Sequence, residues 1–289
     1  MPRRGKGESQ ETGVAAMYHQ TGEGPGSPLD FVMQEQTRLT LTSVRRAVAA
    51  GKGMLAFQPV VQTDRPDRPA FYEGLIRILD DTGRIVPLCD FMPYAETTDL
   101  GRQIDCLSLS LGLQALAANP DLRLSINMSA RSIGYPNWLE TLRWGTGSDD
   151  RIAERLVLEI TESSAMGMPE LVTGFMREWQ ARGVSFAIDD FGAGYTSFRY
   201  LRDFCFDMIK IDGQFVRDIA SHPDNQVLVQ ALISIAHHFD MFTVAESVET
   251  ADEAAFLMDL GIDCLQGFYF GAPTIAPPGG APPALLRRH

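Results

Sequence analysis

Cysteine is scarce: there are four in 289 residues, Cys89, Cys106, Cys205 and Cys264, and no two form a CxxC pair. That spacing gives neither a zinc knuckle nor a disulfide framework. The four thiols read as reduced, apolar residues of a cytoplasmic protein. Long apolar runs are missing too, and none approaches the ~20 residues that a membrane-spanning helix needs. Arg3, Arg4 and Lys6 have no apolar segment behind them, so the N-terminus does not read as a secretory signal. Positive charge is in deficit, with 25 Lys and Arg against 37 Asp and Glu for a formal net charge of -12. This balance disfavours duplex nucleic acid and anionic membrane surfaces as partners. An anionic substrate stays compatible if metal ions stand between it and an acidic site.

What is present fits one large domain, since 45% of the residues are hydrophobic and 21% charged. Residues 1–35 hold little apolar content and are expected to be a flexible tail. Residues 276–289, "APPGGAPPALLRRH", are rich in Pro and Gly and should form no regular element. The segment between, 36–275, has no internal linker.

Eight short β-rich runs punctuate that segment: "LAFQPVV", "FYEGLIRI", "LRLSINMS", "RLVLEIT", "VSFAIDD", "MIKID", "FTVAES" and "CLQGFYF". Helical patterns fill most of the intervals from the second run onward, among them "RQIDCLSLSLGLQALAAN", "MPELVTGFMREWQARG" and "NQVLVQALISIAHHFD". Alternation of this kind predicts a parallel sheet, and eight strands predict its closure into a TIM-type (βα)8 barrel. Only "QTDRPDRPA" separates the first two runs, and a parallel crossover needs about a dozen residues or more. Those two strands should therefore form a hairpin, leaving one barrel strand antiparallel to the rest, with a helix within "TRLTLTSVRRAVAAG" covering that part of the wall.

Several runs carry groups that a core would reject: Glu73, Asn127, Glu159, Asp189, Asp190, Lys210, Asp212, Glu246 and Gln266. Most sit at or near the C-terminal ends of their strands, which converge on one face of a parallel barrel. One such residue alone is readily explained by a backbone hydrogen bond or an ion pair. Five of the carboxylates sharing a face, Glu73, Glu159, Asp189, Asp190 and Glu246, are not, because an unpaired buried charge costs several kcal/mol, and Lys210 alone cannot balance them. Oxygen ligands of this kind suit Mg²⁺ or Mn²⁺. A bridging Asp189, with Asp190 on a second ion, suits phosphate-ester cleavage. His237 and His238 read as surface or packing residues, and Trp138, Trp144 and Trp179 as packing residues.

At this point the residues resemble the EAL family of cyclic-di-GMP phosphodiesterases, from about Leu55 to Pro273. The motifs "FQPVV", "YEGLIR", "FMPYAE", "INMSARSI", "LEITES", "IDDFGAGYTSFRYL", "IKIDGQFV", "VAESVET" and "LQGFYFGAP" stand in the family's order. The resemblance implies a modified barrel with one antiparallel strand and hydrolysis of cyclic di-GMP to linear pGpG with two Mg²⁺ or Mn²⁺ ions. It implies that Glu73, Asn127, Glu159 and Asp189 ligate one metal, with Asp189, Asp190 and Glu246 around the second. It further implies that Lys210 orients the attacking water, that Gln266 contacts metal-bound water and that Glu249 supports the ligands.

Arg77 matches the phosphate contact, and Gln58, Leu75, Pro93 and Asp212 match the substrate site. Glu162 and Thr196 match the pair that anchors the loop after Asp190, and a homodimer is expected. The chain departs from the family at Gly74 (usually Ala), Thr196 (usually Ser) and Ser247 (usually Gly), and no departure removes a ligand. A domain that binds the dinucleotide or a protein without cleaving it is the alternative, although such domains usually lack a ligand or the loop anchor.

Overall fold

The computed structural model describes residues 27–147, 149–192, 201–202 and 204–276. Strands β1 (Gly53–Gln62) and β2 (Arg65–Leu79) form the hairpin expected from their short connection, with Gln62 opposite Arg65 at its turn. The barrel continues through β4 (Leu124–Asn127), β5 (Leu156–Thr161), β6 (Ser185–Phe191), β7 (Met208–Ile211), β8 (Phe242–Ala245) and β9 (Cys264–Gln266). Neighbours from β2 to β9 pair in parallel, and β1 closes the ring antiparallel to both β9 and β2. A two-residue strand, β3 (Ile85–Val86), pairs with the C-terminal end of β2 at Ile78 and Leu79, beyond the stretch paired with β4. The architecture is therefore the (βα)8 barrel with one reversed strand that the sequence predicts.

Strand β9 is shorter than "CLQGFYF" suggests. Gly267 lies so close to the chain after β8 that a Cβ there would stand 2.0 Å from the Val248 carbonyl oxygen. The chain turns at that point, with Tyr269 N–H donating to Val248.

Helices cover the outside: α1 (Pro28–Ala49), α2 (Asp99–Ala118), α3 (Pro136–Gly147), α4 (Glu162–Gly167), α5 (Pro169–Gln180), α6 (Pro223–His238) and α7 (Ala251–Asp259). Helix α1 starts upstream of the boundary expected near residue 35, because Ser27 and Asp30 form a reciprocal capping box around Pro28 at the first position. Its C-terminal half buries Val44, Ala47 and Val48, while Phe31, Val32 and Met33 are exposed.

Between barrel and helices, Trp138 of α3, Phe175 and Trp179 of α5 and Phe186 of β6 pack as tilted and edge-on rings 5.7 to 6.1 Å apart. Both tryptophans are fully buried, and a large apolar side chain so placed contributes roughly 1.5–3 kcal/mol. Trp144 differs from the expectation that it packs: it is 81% exposed, on the outer face of α3. No described helix is long and apolar enough to cross a membrane.

Candidate functional site

The strand register delivers one polar layer to the open end of the barrel. Gln58 faces Glu73 across the β1–β2 ladder, Asn127 faces Glu159 in β4–β5, and Gln266 ends β9 opposite Val60. Side chains alternate between the two faces of a strand, so Asp189 and Asp190 in regular β6 would point apart. They do not, because β6 bulges. Ile188 pairs with Ile209 and Phe191 with Ile211, so one extra residue is inserted in β6, and Asp190 takes a left-handed backbone at φ 54°. Oxygens of Asp189, Asp190 and Glu246 consequently lie within 4.8 Å of one another. A left-handed non-glycine residue stores about 1 kcal/mol or more and is common where function demands the geometry.

Lys210 is the centre of the layer. Its Nζ lies 2.7 Å from Glu159 Oε2, 2.7 Å from Glu246 Oε1, 3.2 Å from Asp189 Oδ1 and 3.3 Å from Glu73 Oε2, and the side chain is 1% exposed. Burial opposes its charge, but the four carboxylates outweigh burial and hold it firmly protonated. Around Glu73 the amide donors converge, with Asn127 Nδ2 at 2.8 Å from Oε1 and Gln266 Nε2 at 2.6 Å from Oε2. Gln266 Nε2 also reaches Gln58 Oε1 at 3.3 Å.

One ammonium does not neutralise the set. Burial raises the Glu159 carboxyl to about 8, assisted by Glu73 and Asp189 and opposed by Lys210. Burial also raises Glu246, again against Lys210. Asp190 rises to about 6 through burial and repulsion from Asp189 and Asp212. Glu73 alone falls: burial works against its charge, and Lys210, Gln266 and Asn127 together overcome it. Glu159 Oε1 is buried with no hydrogen-bond partner among the described residues. A set of oxygen donors carrying surplus negative charge and an unsatisfied carboxylate oxygen fits a hard divalent cation.

The layer forms one wall of a cleft of about 560 Å³, lined among others by Leu75, Arg77, Asn127, Asp189 and Asp190. Arg77 Nη1 donates to the Ile76 carbonyl, and burial lowers its pKa while Glu73 opposes that shift. Asp212 caps the Gly213–Val216 turn by accepting from Gln214 N–H at 2.7 Å. Pro93 is exposed on the Met92–Ala95 turn; its neighbour Met92 lines the cleft. Glu249 is exposed, and its backbone N–H donates to Glu253. Buried Glu162 accepts Gly192 N–H at 3.0 Å, and Gly192 is required there because a Cβ would meet Phe215 at 2.7 Å and φ is 96°. Thr196 lies outside the described residues.

Sequence reasoning missed a polar group beneath the turn after β4. Asp105 of α2 accepts from Ser129 N–H at 2.9 Å and Ser132 Oγ at 2.6 Å, and Ser164 of α4 accepts from Ala130 N–H at 2.8 Å. The signal was available: Asp105 follows Gly101 and precedes Leu109 by one helical turn each, so a carboxylate stands in the buried stripe of α2.

Comparison with known proteins places the chain in a family. The family model for the EAL domain matches residues 42–273. The chain is 31% identical over 276 residues to the bifunctional diguanylate cyclase/cyclic di-GMP phosphodiesterase MucR of Pseudomonas aeruginosa, covering 91% of this chain and 40% of that one. It is 30% identical over 239 residues to the cyclic di-GMP phosphodiesterase PdeR of Escherichia coli, covering 81% of this chain and 36% of that one. It thus spans less than half the length of either relative. The solved MucR phosphodiesterase in complex with c-di-GMP superposes with a TM-score of 0.74 at 29% identity, covering 82% of this chain and 98% of that one.

Proposed function

This chain belongs to the EAL domain family, and from that premise we propose that it is a phosphodiesterase that opens cyclic di-GMP to linear pGpG. The observation that supports the reading is the full donor set: Glu73, Glu159, Asp189, Asp190 and Glu246, together with Asn127, surround or adjoin Lys210 at one end of the barrel. We assign Glu73, Asn127, Glu159 and Asp189 to one divalent ion and Asp189, Asp190 and Glu246 to a second. Two Mg²⁺ or Mn²⁺ ions there would generate a nucleophile from water at neutral pH and neutralise phosphate charge.

The chain's own groups supply the rest. Lys210 is too tightly held to wander, so its ammonium offers a fixed positive charge and donor for orienting the attacking water. Gln266 and Asn127 hold the two oxygens of Glu73 in place. Arg77, at the cleft wall, offers fixed donors to a phosphate oxygen. Leu75, Gln58, Pro93 and Asp212 are assigned to the bound dinucleotide. Glu249 is assigned to support of the ligands, and Glu162 with Thr196 to anchoring the loop after Asp190. We also assign the protein to the cytoplasm as a homodimer, which sedimentation at micromolar concentration would test.

The decisive assay incubates the protein with cyclic di-GMP and Mg²⁺ or Mn²⁺ and separates the products chromatographically. Linear dinucleotide well above a Glu73→Ala control is expected. Tight binding without product would assign the chain instead to dinucleotide binding.

A further inference from the structure

Asp105 is a buried carboxylate, 8% exposed, that lines the same cleft as Asn127 and Asp189 but makes none of the described ion pairs to Lys210. Both of its described hydrogen bonds go to one short stretch, the turn that follows Asn127: Ser129 N–H at 2.9 Å and Ser132 Oγ at 2.6 Å, both on Oδ2. Ser164 holds the same turn from α4 through Ala130 N–H. The turn is thus gripped from two helices immediately beyond the residue whose side chain bonds Glu73. Beta strand β4 is only four residues long, and its ladder partner carries Glu159 opposite Asn127. Beyond Asn127 the ladder adds one more bond, Met128 N–H to the Glu159 carbonyl at 2.9 Å, and the turn that Asp105 clamps follows directly.

A carboxylate is the strongest neutral-pH acceptor available for two donors at once, yet placing one here is unfavourable. Burial pushes its carboxyl up to about 6, against the lowering effect of Ser132 and Ser129. A group retained against such a penalty has a positional consequence here, since it ties α2 to the β4 end of the site.

We infer that Asp105 is a positioning residue: by clamping Ser129 and Ser132 it sets the orientation of Asn127, and hence the affinity of the adjoining site for a divalent cation. The inference rests on the phosphodiesterase reading for its functional consequence, while its geometric part stands on the metal-free protein. Outer groups that orient metal ligands commonly change affinity by about 10–100-fold when removed. A residue that merely fills space would change stability and leave affinity alone.

The test compares wild type, Asp105→Ala, Asp105→Asn and Ser132→Ala by Mn²⁺ titration followed by electron paramagnetic resonance, with the Asn127 side-chain amide signal read by ¹⁵N NMR in metal-free protein. Asp105→Ala should weaken Mn²⁺ binding about 10–100-fold and shift the Asn127 amide. Asp105→Asn keeps an acceptor for Ser129 and should restore both most of the way. Ser132→Ala, which removes one of the two donors, should weaken binding by a smaller factor, and it carries the test if the alanine variant at 105 does not fold. An unchanged Mn²⁺ affinity and an unmoved Asn127 amide, with only a lower melting temperature, would overturn the inference. Failure of the wild type itself to bind Mn²⁺ would instead count against the phosphodiesterase reading. The amide signal would then decide the positional claim alone.

Discussion

Ser247 occupies the space that Gly213 leaves open. A Cβ at Gly213 would stand 2.5 Å from Ser247 Oγ and 2.6 Å from its Cβ, and Ser247 itself adopts a left-handed backbone at φ 57°. Ser247 directly follows Glu246, so the local backbone of a metal-ligand candidate is strained and its neighbour is accommodated by a missing side chain. Two sequence positions 34 apart therefore constitute one packing decision. Gly213→Ala alone should cost about 1–3 kcal/mol by overpacking. In a Ser247→Gly background most of that cost should vanish, because glycine both clears the space and tolerates φ above zero. Urea unfolding of the four proteins of this cycle measures the coupling, and strictly additive effects would sink it.

Gly74 has a similar partner. By resemblance Gly74 stands where the family usually has Ala, but the space is filled: a Cβ at 74 would stand 2.7 Å from Ile126 Cδ1, and a Cβ at Gly112 of α2 would meet the same atom at 2.7 Å. The same Ile126 methyl would have to move for either glycine to gain a Cβ. Gly74→Ala, which restores the family's usual residue beside Glu73, should thus destabilise the protein by about 1–3 kcal/mol. Adding Ile126→Val should recover much of this, measured as the midpoint of chemical denaturation.

Much of this was legible beforehand, for physical reasons that differ by element. The hairpin of β1 and β2 could be read because nine residues cannot carry a parallel crossover. The polar layer could be read because charged residues at the ends of apolar runs have few explanations. The end of β9 at Gln266 could not, since what stops it is the approach of Gly267 to Val248, a contact between distant segments. The bulge in β6 was equally hidden. Asp189 and Asp190 read in sequence as ligands of neighbouring ions, but only the positive φ of Asp190 explains how both reach one site. Trp144 was misread because an aromatic residue on a helix is usually packed, and its position on the outer face of α3 depends on the helix's rotation about its axis.

Lys210→Met should separate the roles of ammonium and metal. Without the ammonium, Glu73, Glu159, Asp189 and Glu246 lose the cation they share, and removing one partner from a buried ionic group typically costs about 3–5 kcal/mol. The metal-free variant should therefore melt well below wild type. Saturating Mg²⁺ or Mn²⁺ should raise its melting temperature more than it raises that of wild type, because binding to the native state stabilises it by mass action. Equal metal-induced shifts in the two proteins, by differential scanning fluorimetry, would count against a shared role of Lys210 and cations.

Asp105 gives a pH dependence whose sign is fixed by its environment. Its ordinary value is 3.8 and burial raises it in the folded protein to about 6. A carboxyl raised on folding stabilises the native state while it is protonated. Its contribution is complete below the unfolded value and is lost as pH rises through about 6. A difference of this size corresponds to roughly 3 kcal/mol between acid and neutral pH. Asp105→Asn does not titrate and should lack that contribution to the slope. The variant should accordingly gain stability relative to wild type as pH climbs from about 4 to 7, with the gap levelling off above that. Other acidic groups titrate in both proteins, so the difference between the two urea-denaturation profiles, rather than either profile alone, isolates Asp105. If wild type instead gained on the variant as pH rose, the buried carboxylate would have to be stabilised in its charged form, and the account of Asp105 as an acceptor held against its desolvation would be wrong.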